Sequence, residues 1–175
     1  MADTIRTRAA VLTLLADNTS NDISPQDHRD GVVSMFGVYA MMSVQGNSTD
    51  LAPGSPSFPE LFNIFDTQVS TGLTVDLVTN YRSTVDTNSD GTFYFNFSTN
   101  FTGTNNAQVI CALYKNGAIT DFRLERKLSS GGDIGSASFC GIIDLVATDY
   151  VDIRWLSGGT SLIPQDAQLI IMRIK

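Results

Sequence analysis

The 175-residue sequence predicts a mainly β fold: an antiparallel two-sheet jelly-roll sandwich preceded by a short N-terminal α-helical segment. Three features point there. In GTFYFNFS, Phe93, Phe95 and Phe97 alternate with Tyr94, Asn96 and Ser98, the period of two of a half-buried strand. Asn116-Gly117 links two apolar runs, and both residues tolerate the positive φ of a tight hairpin. About eight such runs recur at intervals of roughly 10 to 20 residues with turn residues between them, which suits a sandwich better than an open sheet.

Taken in order, residues 4–16 place Ile5, Ala9, Leu12 and Ala16 on one helical stripe that Val11, Leu14 and Leu15 widen, an amphipathic helix of about three turns. Ser24-Pro25-Gln26-Asp27 then supplies a cap serine, a first-turn proline and an early acid for a second helix carrying Val32, Val33 and Phe36. Two helices of this size enclose no core of their own and must dock on something else. The run VYAMMSV at 38–44 suits a strand, and the Pro/Gly/Ser-rich stretch after it has no period and reads as a linker. The expected organisation is an anchoring segment over 1–45, a linker over 46–59 and a head domain over 60–175.

Within the head, strands are expected near 61–65, 73–77, 93–98, 109–114, 118–126, 136–147, 149–156 and 167–174. Val109, Cys111 and Leu113 alternate with Ile110, Ala112 and Tyr114, so this strand is apolar on both faces. A crossover helix is excluded as the cover, because Asn116-Gly117 turns the chain directly into the next strand. A second subunit on one face is the remaining reading. Tyr94, Ile110, Ala112 and Tyr114 are the expected interface residues of an oligomer, and Leu12, Leu15, Val32, Val33 and Phe36 the expected anchors.

A net charge of −7 argues against nucleic acid as a partner. No stretch of eighteen apolar residues suggests a membrane span, and the N-terminus lacks a secretory pattern, so cytoplasmic synthesis is expected. Cys111 and Cys140 lie in strand patterns without metal-ligand spacing and read as buried reduced thiols, with one disulfide between neighbouring strands as the alternative. The lone histidine, His28, sits between Asp27 and Arg29 and reads as a solvated helix residue. No nucleophile elbow, phosphate loop or Cys-x-x-Cys occurs, so neither enzymatic activity nor a cofactor is expected. Asp86, Asn88 and Asp90 resemble the first half of a calcium loop. However, Phe97 occupies the position of the bidentate acid, which favours a tight polar turn. The glycine-rich stretches 129–133 and 157–160 read as exposed loops.

The motifs Gly91-Thr92-Phe93-Tyr94-Phe95-Asn96-Phe97, Leu113-Tyr114-Lys115-Asn116-Gly117, Leu145-Val146-Ala147-Thr148-Asp149-Tyr150-Val151 and the final run from Leu169 to Ile174 occur in a telling order. As a set, over roughly residues 60–174, they resemble the tumour-necrosis-factor-like globular heads of complement. Thr148 stands where that family has glycine before its aspartate, and no collagen-like stalk is present, so ligand specificity does not carry over. The N-terminal part resembles helical segments of structural proteins in tailed bacteriophages, where such heads recur on capsids and fibres. The resemblances imply a homotrimeric, non-enzymatic virion protein, assembled in the host cytoplasm and held to other virion proteins by its N-terminal segment. It would be a capsid decoration or head-fibre knob. The alternative is a tail-fibre tip that recognises a host surface glycan or protein.

Overall fold

The computed structural model describes residues 37–51, 60–129, 133–158 and 161–175. Eleven strands form among them: β1 (Tyr39–Val44), β2 (Glu60–Leu61), β3 (Thr67–Thr71), β4 (Leu73–Asp76), β5 (Arg82–Val85), β6 (Gly91–Gly103), β7 (Gln108–Lys115), β8 (Ala118–Lys127), β9 (Gly135–Leu145), β10 (Tyr150–Ser157) and β11 (Leu162–Arg173). One sheet runs β3-β1-β11-β6-β9 and the other β4-β5-β10-β7-β8, with β2 beside β10. Each pairing is antiparallel. Only β4 to β5 and β7 to β8 stay within one sheet, and every other connection crosses to the opposite one, which makes a jelly roll rather than a meander.

The alternation in the sequence explains which faces meet. Phe93, Phe95, Phe97 and Phe101 of β6 point inward beside Ala40 and Met42 of β1 and Leu169 and Ile171 of β11. The second sheet answers with Val109, Cys111 and Leu113 of β7 and Val151, Ile153 and Trp155 of β10. Phe62 packs edge-on to Phe97 with ring centres 5.5 Å apart, and Phe95 meets Phe122 in the same manner at 4.8 Å. Burying these large rings in the space between the sheets supplies the main drive to fold.

The hairpin forms as its sequence requires: Asn116 and Gly117 have φ of 51° and 79°, and Lys115 pairs with Ala118. Two strands escape the sequence pattern. β3 (TQVST) is an edge strand with mostly exposed side chains, and β5 (RSTV) is short and polar, so neither shows an apolar period. The expected strand at 61–65 shrinks to Glu60–Leu61, although Phe62 and Phe65 still enter the core.

The expected domain boundary needs correction. β1 belongs to the sandwich, paired with β11 from Tyr39 to Val44 and with β3 on its other side. Residues 46–51, read as linker, are tied to β11 as well. Asn47 N–H donates to Gln165 O, Leu51 N–H to Leu162 O, and Leu162 N–H to Asp50 Oδ1. Prolines and glycines at 53–59 break periodicity, but that break does not mark where packing begins. The helices expected before residue 37, His28, and the anchors Leu12, Leu15, Val32, Val33 and Phe36 lie outside the described residues.

Candidate functional site

Strand alternation gives each sheet an outer face, and the two faces differ sharply. On the second sheet, the outer face mixes apolar Ile110, Ala112, Leu156 and Ile119 with charged and aromatic side chains, and several of the latter satisfy one another. Arg154 donates from Nε to Asp152 Oδ1 at 2.7 Å and lies over the Tyr114 ring, with its guanidinium carbon 4.4 Å from the ring centre. Arg82 covers Tyr150 at the same distance. These lids explain why Ala112, Tyr114 and even Asp152 are buried within a single chain. Ile110 is half-buried. On the second face of β7, where the sequence suggests a subunit, Arg154 of β10 thus covers Tyr114 and stands beside Ala112.

The first sheet is different. Its outer face aligns Tyr39, Met172, Tyr94 and Ile142 across four strands in one row. Met41, Ile170, Asn96 and Cys140 form the next row, and Val69 of β3 stands beside Met41. Tyr39, Val69, Ile142 and Met172 are 39%, 48%, 58% and 43% exposed, and Tyr94, Met41 and Ile170 are half-buried. Of the expected interface residues only Tyr94 lies here. Tyr39, Met41, Val69, Ile142, Ile170 and Met172 stand beside it, and the runs VYAMMSV and LIIMRI that supply four of them are as apolar on both faces as the β7 run. Toward the far end of the same face the side chains turn small and polar. Ser43, Ser98, Asn100, Ser138, Asp166 and Gln168 line a shallow cavity of about 640 Å³ there.

The remaining candidates resolve individually. Asp86 Oδ1 accepts the Thr74 hydroxyl at 2.6 Å, Ser89 N–H donates to Asp86 O, and Asn88 takes a φ of 68°, so residues 86–90 form a tight turn. Among the described residues no group of three His, Cys, Asp or Glu side chains gathers as a metal site, and no helix is long and apolar enough to cross a membrane. Cys111 and Cys140 are both free and sit in different sheets. Burial pushes the Cys111 thiol up to about 12. Cys140, expected to be buried, is exposed because its position in the alternation points to the outer face. In the two glycine-rich loops, Asp133 accepts the Ser129 N–H and pairs with Arg126, while residues 130–132 and 159–160 lie outside the described residues.

The motifs behind the family resemblance come together as a joint. Asp149, 8% exposed, accepts hydrogen bonds from Asn116 Nδ2 at 2.6 Å, Lys115 Nζ at 2.8 Å and Val146 N at 2.9 Å. Tyr150 N–H returns a bond to Asn116 Oδ1. Burial alone would raise the Asp149 carboxyl, but Lys115, Val146 and Asn116 outweigh it and hold it at about 2. The turn that aims this carboxylate bends at Thr148, whose φ is 74°.

The architecture is that of an antiparallel two-sheet jelly roll. Its tumour-necrosis-factor-like form is evident from the solved structure of Eiger TNF from S. frugiperda, which matches with a TM-score of 0.54 at 11% identity, over 79% of this chain and 94% of that one. Neither a protein-family description nor a curated protein matches the sequence.

Proposed function

We propose that this protein is a non-enzymatic, homotrimeric jelly-roll head displayed on the particle of a tailed bacteriophage, where it acts as a capsid decoration or head-fibre knob. The carrying observation is the outer face of the first sheet: an aromatic and aliphatic row from Tyr39 to Ile142 in which Tyr39, Met172 and Ile142 are exposed in the single chain and Tyr94 is half-buried. A contiguous apolar patch of this kind marks an interaction surface. Copies of this chain would bury it at the scale of a stable interface, and the tumour-necrosis-factor-like fold is one in which trimers are common. The opposite sheet, with its self-satisfied Arg154–Asp152 and Arg82–Tyr150 groups, would face outward. Residues 1–36 would attach the head to other virion proteins, and assembly would take place in the host cytoplasm. That placement rests on the phage-like character of the N-terminal sequence. Immunogold labelling of virions tests it: label on capsid or fibre supports it, and label absent from particles overturns it. A tail-fibre tip is the rival reading, favoured by a polar groove away from the apolar row.

A further inference from the structure

The groove lies at the end of the sandwich where β1 finishes, between the loop 45–51 and the loop 63–66, with Tyr81 on its flank. It is an open groove of about 690 Å³, within the size range of small-molecule sites. One wall is rigid. Gly46 N–H donates to Asp166 Oδ1 at 3.0 Å, and Asn47 Nδ2 donates to Pro164 O at 2.7 Å, while Asn47 Oδ1 accepts the Thr49 N–H. The other wall is fixed by Phe65, buried in the core, and by Asp66 N–H donating to Ser43 O. Between them stand exposed Gln45, Thr49, Asn63 and Asp66, which offer amide, hydroxyl and carboxylate groups to solvent. Tyr81 is half-buried and holds a φ of 46°, a left-handed conformation that is rare for a bulky residue. Strain of this kind persists where the surroundings impose it, and it gathers at ligand clamps.

We propose that this groove is a binding subsite for a neutral sugar, an inference that rests on the reading of the protein as a non-enzymatic head displayed on a particle. Sugars present vicinal hydroxyls that amides and carboxylates bind in pairs, and C–H faces that lie against an aromatic ring. One tyrosine set among short polar side chains on pre-formed loops supplies both. Asp66 in the groove and the net charge of −7 disfavour sialic acid, phosphorylated sugars or uronic acids. The site is off the apolar row of the first sheet, so it would stay open in the assembled head.

The full chain, titrated by saturation-transfer NMR with the methyl glycosides of glucose, galactose, mannose and N-acetylglucosamine, should bind at least one, while sialyllactose and glucose 6-phosphate bind more weakly. Tyr81→Gly removes the ring and relieves the positive φ, so its melting temperature should hold or rise while affinity falls about tenfold or more. Asn63→Ala, an exposed position, should weaken binding without changing stability. Absence of binding to every neutral glycoside, preference for the anionic ones, or indifference to both substitutions overturns the proposal. Sedimentation on the same samples separates the readings. Sugar binding by a monomer removes the trimer and leaves the site, whereas a trimer that binds no sugar removes only the site.

Discussion

Thr148 carries the most strained conformation in the joint between the 115–117 hairpin and β10. A β-branched side chain in the left-handed region costs about 1 to 3 kcal/mol, and the tumour-necrosis-factor-like heads place glycine at this position. Its N–H donates to Val85 O, which holds the turn in place despite the strain. Thr148→Gly should therefore stabilise the protein by about 1 kcal/mol after the added freedom of the unfolded chain is subtracted. Thermal unfolding should show a rise of about 2 to 4 °C. The next residue has the opposite sign. Asp149→Asn leaves Lys115 without its carboxylate and should cost about 2 kcal/mol. Because the folded carboxyl is held at about 2, below its unfolded value, it contributes stability above the ordinary aspartate range. That contribution is lost as pH falls from about 4 toward 2. Urea titrations across that window should show a shallower pH slope for Asp149→Asn than for the wild type.

Two elements close the sandwich in ways the sequence conceals. The mouth between the edge strands β8 and β9 is sealed by Phe122, whose ring lies against Gly141. A Cβ at residue 141 would sit 2.3 Å from Phe122 Cε1, so Gly141→Ala must push the ring aside. That displaces the Phe95–Phe122 contact and should cost about 1 to 3 kcal/mol, readable as a lower urea midpoint with an unchanged slope. At the other side of the first sheet, β1 is flanked by β11 and β3, with Ala40, Met42 and Val44 in the core. A chain beginning at residue 37 should therefore fold, while one beginning at Gly46 should not. Circular dichroism of the two decides it, and a cooperative transition in the shorter chain would contradict the placement of β1. The period of two made β6, β7 and their inward faces legible from sequence, as Asn116-Gly117 did the hairpin. Strands without an apolar period, β3 and β5, were invisible to the same test. β1 was visible as a strand and assigned to the wrong unit, because prolines and glycines at 53–59 report a break in local pattern while sheet membership is decided by partners far along the chain.

At the scale of the molecule, the same alternation underlies both the expectation of an oligomer and its assignment to β7. An apolar residue on the second face of a strand needs cover, but the sequence does not say whether a neighbouring strand provides it. For Ala112 and Tyr114 the cover is Arg154, two residues along β10 from Asp152, a contact between segments about 40 residues apart that no local period reveals. For Tyr39, Val69, Ile142 and Met172 no such lid lies across them among the described residues, and they are exposed. If that row is the contact between copies, Ile142→Glu combined with Met172→Glu should convert a trimer to a folded monomer at micromolar concentration. Both side chains are about half exposed, so the double substitution should leave the melting temperature of the isolated chain nearly unchanged. Ile119→Glu, equally exposed but on the second sheet, should leave the trimer intact. Cys140 gives an independent reading, since it stands one row from Ile142 on the same face while Cys111 is sealed in the core. In the wild type a thiol reagent should react with Cys140 slowly, and in the double variant quickly, at one equivalent per chain. Sedimentation showing a wild-type monomer, or rapid labelling of Cys140 in a wild-type trimer, would place the interface elsewhere.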